Sequence, residues 1–110
     1  MLKAISSEPI NVYNKQEVIE VLKDNLKSFR KFGVKEIGLF GSFVRNEASL
    51  ESDIDLLVKI VDFNFENFCE LQDFAQSLFK DRSVDIVLES NINEINGIYI
   101  CREVEYVYQN

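Results

Sequence analysis

A chain of 110 residues, 46% hydrophobic and 28% charged, has the size and composition of one globular unit, 1–110, able to bury roughly two-thirds of its unfolded surface. Its formal charge of −7 argues against direct nucleic-acid binding, which depends on clustered Lys and Arg. The absence of histidine removes Ser-His-Asp and Cys-His catalysis and leaves acid–base work to carboxylates, lysines or tyrosines.

Residues 1–12 read as a loose N-terminal tail or short edge segment, without the apolar core of a signal peptide. A first helix is expected from Asn14, which can cap it with Glu17 at the capping-box position, to about Phe32. Val18, Val21, Leu22, Leu26 and Phe29 keep the 3.6-residue period, and Gly33 follows as terminator. Ile37 to Phe40 is short and apolar, a buried strand ending in a tight turn at Gly41. Phe43 to Glu47 can form one helical turn, and Ala48 to Ser52 is polar loop. Asp53 to Ile60 is a second strand, with Asp53, Asp55 and Leu57 on one face and Ile54, Leu56, Val58 and Ile60 on the other.

From Asn64 to Lys80 the apolar residues Phe65, Phe68, Cys69, Leu71, Phe74, Ala75, Leu78 and Phe79 predict a second amphipathic helix over the sheet. Ser83 to Leu88 is a third strand. A short helix around Ile92 to Cys101 and a strand over Val104 to Tyr108 complete the chain. The order predicts an α+β fold, a small mixed sheet flanked by helices, whose first two strands pair antiparallel because their connection is too short for a crossover helix. No stretch approaches the eighteen or so apolar residues of a membrane span, so a cytoplasmic protein without membrane contact is expected. In that setting Cys69 and Cys101 read as small buried hydrophobes rather than a disulfide.

The run Gly41-Ser42, ten spacer residues, then Asp53-Ile54-Asp55 carries the chemistry. Gly41 allows backbone to approach a phosphate, Ser42 adds a hydroxyl beside exposed N–H groups, and Arg45 can add a guanidinium fork. Two aspartates at i and i+2 of a strand point the same way. At about 4 Å they would repel by roughly 4 kcal/mol at an effective dielectric near 20, so they call for a cation or a proton. Mg²⁺ suits them, because it takes hard oxygen ligands from one or two carboxylates plus substrate phosphates. Asp85, opening the third strand, would complete a cluster of three. Each half alone has a plain structural explanation as a turn or a strand start. The four residues at fixed offsets arise by chance on the order of once in a thousand chains of this length.

Gly41-Ser42 with Asp53, Asp55 and Asp85 resembles the pattern of the DNA polymerase β-like nucleotidyltransferase superfamily. The run GSFVRNEASLESDIDLLV is similar, more closely, to minimal nucleotidyltransferases that act as antitoxins beside HEPN-domain toxins. The resemblance implies a polymerase β-like nucleotidyltransferase fold, with Gly41, Ser42 and Arg45 on the nucleotide and Asp53, Asp55 and Asp85 holding Mg²⁺. It further implies that the third carboxylate helps deprotonate the acceptor hydroxyl. The implied reaction is transfer of AMP from ATP to a tyrosine of a cognate HEPN RNase toxin, which would neutralise it. Asn46 stands where the family often has glycine, which puts the shape of the turn in question. Two alternatives stay open: an antitoxin that works by binding alone, and a small-molecule nucleotidyltransferase.

Overall fold

The computed structural model describes residues 8–92, 97, 100 and 102–109. Its elements are α1 (Lys15–Asp24), α2 (Leu26–Lys31), β1 (Val34–Phe40), β2 (Ile54–Ile60), α3 (Phe65–Ser77), β3 (Val84–Leu88), a 3₁₀ turn (Glu89–Asn91) and β4 (Glu105–Gln109). The four strands form one sheet in the order β3-β2-β1-β4. β1 pairs antiparallel with β2 and with β4, whereas β2 and β3 run parallel. This is the small mixed sheet with helices that the element order predicts.

The first helix begins as expected, with Asn14 Oδ1 accepting the Glu17 N–H at 2.9 Å while Glu17 Oε1 accepts the Tyr13 N–H at 2.7 Å. It does not run unbroken to Phe32. At Asn25 the side-chain Nδ2 donates to the Val21 carbonyl at 2.8 Å, the local competition by which asparagine interrupts a helix, and the chain restarts as α2. The apolar period survives the break. Val18, Val21, Leu22 and Phe29 are all buried with Ile37 and Leu39 of β1, Ile54, Leu56 and Val58 of β2, and Leu71 and Ala75 of α3. Phe29 meets Phe74 edge to face, with centroids 5.2 Å apart, a favoured aromatic geometry.

α3 stops three residues short of Lys80 because Leu78 and Lys80 turn to bond the N-terminal segment. The Ile10 N–H donates to the Leu78 carbonyl and the Lys80 N–H to the Ile10 carbonyl, each at 3.0 Å. Of the two expectations for this segment, Ile10 thus follows the edge-segment one, and Val12 is buried; residues 1–7 lie outside the described residues. The apolar stripe of α3 is narrower than its sequence suggests. Phe65 is 72% exposed and Cys69, expected as a small buried hydrophobe, is an exposed free thiol, because both lie off the Leu71–Ala75 line that faces the core. Most of the helix expected over Ile92 to Cys101, and Cys101 itself, lie outside the described residues. No helix among the described residues is long and apolar enough to cross a membrane.

Candidate active site

Strand alternation places the aspartates. Ile54, Leu56 and Val58 face the core, so Asp55 turns to the opposite face. There Asp55 is the register partner of Phe40 across the antiparallel pair and of Asp85 across the parallel pair. Asp53 lies two residues earlier on the same alternation. The end of β1, from which Gly41-Ser42 emerges, therefore adjoins the carboxylates. Asp53 and Asp85 are exposed and Asp55 is half-buried.

Gly41 adopts φ +84°, a conformation that favours glycine. A Cβ at this position would also overlap the Asp55 carboxylate, so the turn and that carboxylate are in direct contact. After Gly41 the chain makes the expected helical turn: the Gly41 carbonyl accepts from Val44 at 3.1 Å and from Arg45 at 3.3 Å, and the Ser42 carbonyl from Glu47 at 2.9 Å. Asn46 sits at φ +62°, a left-handed position that glycine adopts freely and that asparagine tolerates better than most residues. Among the described residues, the N–H groups of Ser42 and Phe43 take no intramolecular acceptor.

Two further residues shape the site. Glu103, from the segment before β4, accepts the Gly41 N–H through Oε2 at 2.7 Å and bonds Arg45 Nη1 through Oε1 at 2.8 Å. Arg45 Nε reaches Glu47 at 2.9 Å, and these contacts raise the Arg45 pKa, Glu47 contributing most. Arg82, with only 8% of its surface exposed, holds the loop leading to Asp53. Its Nη1 donates to the Ser49 and Ser52 carbonyls at 2.8 Å, its Nε to the Val12 carbonyl at 2.9 Å, and its guanidinium lies 4.8 Å from the Phe43 ring centroid, within cation–π range. The sequence pattern singles out neither Arg82 nor Glu103.

Burial raises the pKa of Asp55 from 3.8 to about 6, and Asp85, Asp53 and Glu103 push in the same direction against Arg45 alone. Three anionic neighbours against one cation is the setting that a divalent cation relieves. Among the described residues no three carboxylates close into a ready ion cage. An oxygen-only set of this kind suits an ion that takes its remaining ligands from waters and phosphate oxygens.

A family model for the nucleotidyltransferase domain matches residues 16–107. The protein adenylyltransferase MntA of Thermococcus cleftensis is 38% identical over 94 residues, covering 84% of this chain and 94% of that one. The solved structure of a candidate minimal nucleotidyltransferase superposes with a TM-score of 0.69 at 24% identity, over 84% of this chain and 95% of the other. The complex of a tri-AMPylated Shewanella oneidensis HEPN toxin with its MNT antitoxin matches with a TM-score of 0.53 at 24% identity, over 88% of this chain and 71% of that one. At these identities the two structures speak for the fold.

Proposed function

This chain belongs to the nucleotidyltransferase domain family, and we propose that within it the protein is a Mg²⁺-dependent adenylyltransferase antitoxin, moving AMP from ATP to a tyrosine hydroxyl of a cognate HEPN toxin. The observation that carries the reading is the register that sets Asp55 beside Asp85 and opposite Phe40, next to the Gly41 turn, at one end of the sheet. The 38% identity to a protein adenylyltransferase supports the reaction class. The negative charge suits a basic protein partner.

In this mechanism Ser42, through its hydroxyl and N–H, and Arg45 receive the triphosphate, while Gly41 lets backbone and phosphate approach. Asp53, Asp55 and Asp85 would hold Mg²⁺, which when bound offsets the charge of phosphates and carboxylates together. The acceptor oxygen forms a bond to the α-phosphorus as the bond to the β-phosphate bridge oxygen breaks and pyrophosphate leaves. Asp85, exposed at the strand start, takes the hydroxyl proton; in a chain without histidine the candidate base is a carboxylate. Positioning and charge neutralisation supply most of the rate.

The test is co-expression with the protein encoded beside it, followed by mass spectrometry. One or more AMP units on the partner with the wild type, absent with Asp53→Asn plus Asp55→Asn, is the expected result. Undiminished modification by that double variant would refute the reading.

A further inference from the structure

Glu103 stands 62 residues from Gly41 in sequence and both its carboxylate oxygens are engaged, one with the Gly41 N–H and one with Arg45. Both partners belong to the phosphate seat. We propose that Glu103 is a positioning residue for nucleotide binding, fixing the first peptide of the Gly-Ser turn and the direction of the Arg45 guanidinium before the triphosphate arrives; this rests on the nucleotidyltransferase reading above.

A carboxylate in an anion seat has two possible consequences, and the donors separate them. Were Glu103 a plug, it would lie on the groups that phosphate uses. It takes instead the Gly41 N–H, on the strand side of the turn, and leaves the N–H groups of Ser42 and Phe43 without an acceptor among the described residues. Glu103 and Glu47 together take two of the five guanidinium N–H donors of Arg45, so the fork keeps donors for a phosphate while two carboxylates hold its plane. Arg45 is a half-exposed side chain, 46% open to solvent, that would otherwise sample many rotamers, and ordering it in advance lowers the entropy lost on binding. Phosphate and Glu103 thus occupy different donors of one turn.

The experiment measures binding of a non-hydrolysable ATP analogue with Mg²⁺ by calorimetry, and KM for ATP and kcat for AMP transfer, in wild type, Glu103→Ala and Glu103→Gln. Glu103→Ala is expected to weaken analogue binding and raise KM about tenfold, the scale on which outer partners of a ligand-binding group act, with kcat changed less than KM. Glu103→Gln, which keeps an acceptor for the Gly41 N–H, should recover part of the loss. Analogue binding by Glu103→Ala equal to or tighter than wild type overturns the positioning role and favours a plug. Absence of nucleotide binding by wild type overturns the nucleotidyltransferase reading itself, and this role with it.

Discussion

Gly33 and Gly41 offer a matched pair of perturbations, because their φ angles are +85° and +84°. Replacing either by alanine imposes the same left-handed strain, about 1–2 kcal/mol, which for a domain of this size lowers Tm by roughly 5–10 °C. Their surroundings differ. The new Cβ at Gly33 would lie 3.0 Å from the Val61 carbonyl, a contact that a small backbone shift relieves, whereas at Gly41 it would overlap the Asp55 carboxylate and crowd its Cγ at 3.1 Å. Asp55 must therefore swing away in Gly41→Ala. A displacement of about 1 Å at a reacting centre costs about 100-fold in rate. AMP transfer assayed well below both melting temperatures should thus fall at least about 100-fold in Gly41→Ala and only a few-fold in Gly33→Ala. Equal activity in the two variants would refute the contact between the turn and the carboxylate.

Arg82→Met should keep much of the packing on Phe43 but orphan three carbonyls, lowering stability by about 2–4 kcal/mol in urea unfolding, with hydrogen bonds to charged groups worth roughly 1.5–3 kcal/mol each and partial rehydration of the loop. Asp55, raised to about 6 from 3.8, favours folding in its protonated form, so its contribution is full below about pH 4 and is lost as pH rises through 6. Metal-free protein should accordingly lose Tm between pH 4 and 6.5 more steeply than Asp55→Asn does; parallel pH profiles would contradict the assignment. Asn14→Ala removes the side-chain cap on α1 and should cost about 1 kcal/mol in chemical unfolding without altering nucleotide affinity.

What the sequence reveals of this site follows from how local each signal is. The Gly41-Ser42 and Asp53-Ile54-Asp55 constellation is readable because its parts sit at the ends of two adjacent strands, and alternation alone sends Asp55 away from the core. Asp85 is readable one step further, since β2 and β3 both begin with the same acid–apolar alternation and pair in register. Arg82 and Glu103 are not readable. Their partners lie 30 to 70 residues away for Arg82 and 58 to 62 for Glu103, and an arginine before a strand or a glutamate in a charged segment has no pattern that distinguishes it from a solvated residue. The break at Asn25 is hidden for a different reason: hydrophobic period continues through it. Exposure of Phe65 and Cys69 is hidden because a stripe of apolar residues wider than the core needs looks, in sequence, like a wider core.

The bond from Glu103 to Gly41 also orders events in time. Joining residues 62 apart closes a long loop, and contacts of such separation form late because chain entropy must be lost before they reward it. The β1–β2 hairpin and its aspartates can form from a contiguous stretch of chain, while the turn is stapled only when the segment before β4 docks. A chain ending before residue 103 would therefore carry the whole recognisable motif and lack the contact that holds its turn and Arg45 in place.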